Sequence, residues 1–451
     1  MIAAALLLAM TAILTIRHTG VREIHRAQES VNFAVMDARP AQGDWPWWQG
    51  ATQSSTAPME SPPVQWSSSD TTGWVVPVTG RGRGAICIWG EQLFLPTIDV
   101  GREAVSMSCL DHTTGRTLWQ TEVCRGGSMP LQPRHSQAST TPACDGTHVF
   151  VACPIDGSLC VTALDLHGQI AWQREAGPYF SKGGYSSSPA IYKSLVIVAA
   201  DNKGARIHRL MGTSYLAALH RHTGEIVWRI HRPEADSFGT PVVANIAGRD
   251  QLLMAGKGKI CSYNPMTGAS LWTCQWSAER VANSVAFDDQ NVYASARQPR
   301  QELLCVRADG TGDVSRTHVV WRGNKSASEI PSPVVFEGRL YTATDDGVLA
   351  CLEAGTGQVI WKRRVGGNIC SSPMIAGRHL FCGNEDGTVF VFGLGGRGEL
   401  VAEIPVGEGI LASPVVSRGR MFLRTLQGLR CVTPREEAPL ASQPESSRRR
   451  L

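Results

Sequence analysis

The stretch DDGVLACLEAGTGQVIW (345–361) holds two turn signals, a short alternating run and a terminal tryptophan. Asp346-Gly347 suits a hairpin turn that needs positive φ, and Thr356-Gly357 marks a second turn before QVIW (358–361). PVVFEG (333–338) and RLYTAT (339–344) precede it, so the unit reads as four short strands joined by tight turns. A thiol, Cys351, sits in its middle, and recurrence decides whether the segment does chemistry or builds a fold.

It recurs. T-G-x-x-x-W or a close variant ends at Trp119, Trp172, Trp228, Trp272 and Trp361, a stretched copy TGDVSRTHVVW ends at Trp321, and a degraded copy GELVA (398–402) has lost its tryptophan. With Trp66 in PPVQW the eight positions are spaced 53, 53, 56, 44, 49, 40 and 41 residues apart. That period, with strand signals and no amphipathic helix between markers, belongs to propeller blades. A second marker keeps step: Thr141-Pro142, Ser188-Pro189, Thr240-Pro241, Ser332-Pro333, Ser372-Pro373 and Ser413-Pro414 each open an apolar run. Proline is tolerated at the first residue of a strand, where its missing donor costs no ladder bond.

The repeats predict an all-β fold, an eight-bladed propeller of four-stranded antiparallel blades. The last repeat (414–434) has no fourth strand, whereas VQW around Trp66 is a fourth strand with no blade before it, so pairing the two ends closes the ring and removes an exposed edge. The propeller is assigned to 62–434, a tether and lead-in to 18–61, and a polar disordered tail to 435–451.

The composition agrees: 43% hydrophobic and 18% charged residues allow a large core, and 46 glycines with 25 prolines suit many short turns. A net charge of +4 over 451 residues gives no electrostatic case for nucleic acid as the main partner. Residues 2–16 form an uncharged apolar run of about 22 Å as a helix, shorter than a hydrocarbon core of about 30 Å. No basic residue precedes it, and Arg17, Arg22 and Arg26 follow it. Residues 1–17 therefore read as an export signal or short membrane anchor, placing the propeller on the outer side of a bacterial cytoplasmic membrane, facing the periplasm or exterior. Cys87 is the first cysteine, so no lipid-modified cysteine is expected near the start.

The pattern CLDHTTGRTLW (109–119), AALHRHTGEIVW (217–228) and CLEAGTGQVIW (351–361) resembles the repeat of the pyrroloquinoline-quinone (PQQ) dehydrogenases and of BamB, the propeller of the outer-membrane assembly machinery. DWPWWQG (44–50), GYSSSP (184–189) and TGDVSRTHVVW (311–321) are similar to elements of PQQ-like propellers of the planctomycete type. The resemblance spans nearly all of the chain from Asp44 and implies the fold. It leaves the activity open, because function resides in sites grafted onto a fold.

Two readings follow. The preferred one is a non-catalytic, membrane-tethered, BamB-like binding scaffold without cofactor. The alternative is a PQQ-dependent alcohol or sugar dehydrogenase using the axial channel, for which the resemblance implies Ca²⁺ held by carboxylate and amide oxygens, a catalytic Asp, and often a vicinal disulfide. The chain has no adjacent cysteines, and Glu175, Asn245 and Asp250, though of the right types, lie in no matching motif. No catalytic, cofactor-binding or metal residue is therefore assigned.

Cys109, Cys351, Cys431 and Cys305 share a third-strand position with Ala163, Ala218 and Ser262, which calls for a small buried side chain. Cys153 and Cys160 flank the Asp156-Gly157 hairpin as either a disulfide pair or two core thiols. His220 and His222 fall on a turn expected to face solvent, so with His208 and His231 they make no metal site. What differs between repeats are the insertions 120–141, 177–187 and 201–215, whose Arg134, His135, Tyr179, Lys182, Tyr185, Arg206, His208 and Arg209 are the candidate contacts for a protein or extracellular ligand. Trp66, Trp119, Trp172, Trp228, Trp272, Trp321 and Trp361 are assigned to docking between blades.

Overall fold

A computed structural model describes residues 24–25, 38–67, 73–78, 82–99, 101–125, 138–181, 184–202, 214–232, 236–323 and 325–434. Among them there is no helix, and eight antiparallel blades form the ring. Blade 1 runs outward from the axis through Cys87–Trp89, Gln92–Asp99, Ala104–Asp111 and Thr117–Arg125. The innermost strands of blades 2 to 8 are Ala143–Cys144, Ala190–Tyr192, Val242–Ile246, Ala286–Phe287, Val334–Phe336, Met374–Ala376 and Val415–Ser417. Blade 8 is completed from the start of the chain, where Trp74–Pro77 pairs with Gly428–Val432.

Closure thus comes eight residues later than the repeat count implied. Trp66 lies outside any strand, and Trp74 takes the equivalent place, with its Cα opposite Cys431. Trp119 faces Cys109, Trp172 Ala163, Trp228 Ala218, Trp272 Ser262, Trp321 Cys305 and Trp361 Cys351 in the same way. An indole on the fourth strand leaves room for only a small neighbour on the third, which explains the buried thiols. Burial pushes Cys109, Cys305 and Cys431 up to about 12.

Each tryptophan also reaches the next blade. Trp119 Nε1 donates to Leu166 O at 2.9 Å, and a Cβ on Gly168 (φ +85°) would lie 2.6 Å from the Trp119 ring. The indole sits where only glycine fits. Trp74 over Gly115, Trp172 over Gly224, Trp228 over Gly268, Trp321 over Gly357 and Trp361 over Gly398 repeat the contact. Trp272 departs from it: the stretched turn after blade 5's third strand lays Gly312–Asp313 parallel to Trp272 and Thr273, and Trp272 Nε1 turns to Gln251 Oε1 at 2.8 Å. The degraded copy has a physical cause. Ala402 would dock on the turn between the third and fourth strands of blade 8, and there the chain is interrupted between its two ends.

The Ser/Thr-Pro marker also works between blades. Thr141 N donates to Ser188 Oγ (2.9 Å), Ser188 N to Thr240 Oγ1 (2.9 Å), Ser284 N to Ser332 Oγ (3.0 Å), Ser332 N to Ser372 Oγ (3.0 Å) and Ser372 N to Ser413 Oγ (2.9 Å). The hydroxyls satisfy buried N–H groups around the axis that would otherwise be orphaned. Blade 1 carries Ala85 at this position, and Arg424 bridges the seam instead, donating to Gly84 O (2.6 Å) and Pro96 O (2.7 Å).

Candidate functional site

In an antiparallel blade the first-to-second and third-to-fourth turns lie on one face of the ring, and the second-to-third turns and inter-blade connections lie on the other. Residues 44–60, within the stretch assigned as tether and lead-in, cross the axis on the first face. Trp45 exchanges backbone bonds with Ile88 of blade 1 (3.0 and 2.7 Å), Pro46 O accepts from Cys144 N of blade 2, and Gln53 Oε1 from Val243 N of blade 4. Thr56–Ala57 pairs with Met374–Ala376 of blade 7, and Asp44 meets Arg418 of blade 8 at 2.9 Å. The bare edges of the innermost strands are what the segment satisfies, so it plugs the channel. Trp48 projects along the axis and donates from Nε1 to Ser284 Oγ at 3.0 Å.

Beyond Trp48 lies a cavity of about 600 Å³ lined by Arg83, Ser139, Phe238, Arg280, Arg297, Gln298, Glu329, Ile330, Asp345, Cys370 and the inner Ser/Thr positions. These come from inter-blade connections and second-to-third turns, so the cavity opens on the face opposite the plug. Its carboxylates are engaged. Glu329 meets Arg280 Nε at 3.1 Å and Gln298 Nε2 at 2.8 Å. Asp345 accepts from Glu329 N (2.9 Å) and Ile330 N (3.0 Å) and lies 3.5 Å from Arg297. Arg280 also stacks over Phe238, 5.3 Å from its centroid. The Cys370 thiol donates to Glu385 at 2.8 Å.

A bound PQQ–Ca²⁺ pair needs several oxygens free to converge on a cation. Glu329 and Asp345 are tied to guanidinium and backbone N–H groups, and among the described residues no three His, Cys, Asp or Glu side chains are grouped to hold a metal. The donor set does not fit that group. Glu175 is elsewhere, bonded to Ser158 (2.6 Å), and Asn245 and Asp250 bond each other (2.8 Å) at a blade 4 hairpin on the plug face.

The described residues that flank the insertions, Arg125 and Ala138, Ser181 and Gly184, and Asn202 and Ser214, follow or precede strand ends on the cavity face. Of the candidate contacts, Arg134, His135, Lys182, Arg206, His208 and Arg209 lie outside the described residues. Tyr179 and Tyr185 do not reach solvent: they are 1% and 3% exposed, meet edge-on at 5.1 Å, and donate to Gly184 O (2.7 Å) and Ala199 O (3.0 Å). Tyrosine in an irregular segment can as readily fasten that segment to the core as face a ligand. His220 and His222 are half-buried rather than open, with His222 edge-on to His148 at 5.3 Å, while His231 is exposed. The arginines and acids of the cavity went unread in the sequence because they follow no repeat marker, and the plug because DWPWWQG precedes the first blade.

Residues 102–318 and 312–394, more than half of the chain, match the family described as "Outer membrane protein assembly factor BamB". The chain belongs to this family. BamB of Bordetella pertussis is 24% identical over 76% of this chain and 81% of its own, and BamB of Yersinia pestis 21% identical over 71% and 78%. Tetrathionate hydrolase of Acidithiobacillus ferrooxidans is 25% identical over 48% of this chain and 47% of its own. Among solved structures, BamB of Moraxella catarrhalis superposes with a TM-score of 0.56 at 16% identity, covering 81% of this chain and 99% of its own. Quinohemoprotein alcohol dehydrogenase of Comamonas testosteroni gives 0.58 at 13%, covering 89% and 82%. At these identities the structural likenesses concern the fold alone. Among the described residues no helix is long and apolar enough to cross a membrane.

Proposed function

We propose that this BamB-family propeller is a non-catalytic scaffold that binds a protein or extracellular ligand on its cavity face. In this reading it is exported and held to the outer side of the bacterial cytoplasmic membrane through residues 1–17. One observation carries it: the strand ends that bracket every long insertion open on the same face as the cavity, while the plug occupies the other. Loops on a rigid ring around a concave, mixed-charge surface suit a macromolecular contact. The relatives' name, an assembly factor for outer membrane proteins, favours a protein as that partner.

The alternative, a quinoprotein oxidoreductase, draws on the flat Trp48 ring at the floor of a cavity of about 600 Å³. Titrating the full chain with PQQ and Ca²⁺ while following dye-linked alcohol or sugar oxidation separates the two. The scaffold reading expects neither stoichiometric binding nor turnover; turnover would overturn it.

A further inference from the structure

Three cysteines meet where blades 1 and 2 pack. Cys124 lies near the end of blade 1's outermost strand, opposite Val105, at a bulge that shifts the register before Ser106. Cys153 and Cys160 lie on the second and third strands of blade 2 and are direct Cα partners, so both side chains leave the same face of that blade. That face is toward blade 1: Cys153 is buried with Val105, Met107 and Val123, and Cys124 packs against the same cluster. The Cys124 and Cys153 thiols act on one another across the boundary between the two blades. Gln173 of blade 2 holds the strand in place, donating to Val123 O and to Thr162 Oγ1 (2.9 Å).

Accessibility divides the three. Cys153 is 3% exposed, whereas Cys124 and Cys160 are half-buried. Interaction with Cys153 lowers the Cys124 thiol, while interaction with Cys124 and burial push Cys153 well up, and burial brings Cys160 to about 11. The attacking and the resolving sulfur are thereby distinguished.

We propose that Cys124 and Cys153 form a thiol–disulfide exchange site whose product is the inter-blade disulfide between them, with Cys160 a neighbouring thiol that takes no part. The oxidant is a low-molecular-weight disulfide or the disulfide of an oxidase. The Cys124 thiolate attacks one of its sulfurs, the S–S bond breaks, and one thiolate leaves with the bonding electron pair. Cys153 then gives its proton to solvent and attacks Cys124 Sγ, expelling the second thiolate. Two protein thiols are oxidised, one disulfide is reduced, and the two protons end on the two released thiols. The bond closes the loop that contains the first long insertion, fastening its base across two blades. The site is independent of what binds the cavity face.

The test uses the full chain, reduced and then equilibrated with oxidised and reduced glutathione, trapped with N-ethylmaleimide and mapped by peptide mass spectrometry. A Cys124–Cys153 link is expected at a yield at least about tenfold above any other pair, with Cys160 alkylated. Cys153→Ser should instead accumulate glutathione on Cys124, and Cys160→Ser should leave the link intact. Cys370, half-buried and bonded to Glu385, serves as the comparison thiol. A Cys153–Cys160 link in the unmutated chain, loss of the link in Cys160→Ser, or glutathione uptake at Cys124 no greater than at Cys370 would overturn the proposal.

Discussion

Trp74 stands directly opposite Cys431, and this pair joins the two ends of the chain into one blade. The indole also covers Gly115 of blade 1 and donates from Nε1 to His112 O at 3.3 Å. Trp74→Ala removes a half-buried indole from the blade that joins the two ends of the chain. It should cost about 2–4 kcal/mol, below or at the low end of a fully buried tryptophan. Trp66→Ala, outside any strand, should cost less. Chemical denaturation of both variants checks the order; equal losses would return the closing role to Trp66.

Ser332 accepts from Ser284 N at 3.0 Å and is fully buried. Ser332→Ala strands that N–H without a partner, which should cost about 1–3 kcal/mol, whereas Ser332→Thr keeps the acceptor. Thermal unfolding of the two variants distinguishes a hydrogen-bonded ring from a proline-only strand start.

These two positions show how much of the fold was legible. A period set by backbone packing recurs in most of the blades, so tryptophan and Ser/Thr-Pro spacing revealed the ring and that its two ends pair, though not which N-terminal strand closes it. The closing strand was assigned to VQW around Trp66 because nothing local distinguishes a lead-in from the strand that begins eight residues later at Trp74. The cavity was not legible: Arg280, Glu329, Arg297 and Asp345 come from different connections and meet only after the ring closes. Tyr179 and Tyr185 looked like contact residues because composition does not report burial.

His112 packs against Ser417 of blade 8, with 3.2 Å between Nε2 and Oγ, and Ser417 in turn donates to Gly43 O. Burial, with Arg420 and Arg418, holds the imidazole down to about 4, although Glu91 and Asp111 oppose this. A histidine depressed in the folded state binds its proton first in the unfolded chain. Its stabilisation is complete above about pH 6.5 and is lost as pH falls toward 4, a change of up to about 3 kcal/mol. His112→Gln should flatten this part of the stability–pH curve relative to the unmutated chain. An unchanged difference between pH 7 and pH 4 would contradict it.

Trp48 forms the floor of the cavity and is anchored to Ser284. Trp48→Ala should join the cavity to the plug face while leaving the ring bonds of Ser284 N and Ser332 in place. The fold should survive with a loss of about 1–3 kcal/mol, and solvent exchange at the inner-strand amides should rise. Exchange unchanged at Cys144 and Val243 would show that the plug segment does not depend on this anchor.

In the scaffold reading the cavity face carries the partner. A photo-crosslinker placed at Ile330, on the rim of the cavity, and at Gly355, on the opposite face of the same blade, tests it in cells. One discrete adduct is expected from Ile330, none from Gly355, and that adduct should be lost when Arg134, Lys182 and Arg206 are all replaced by alanine. An adduct from Gly355 alone, or capture at Ile330 undiminished by the triple replacement, would contradict it.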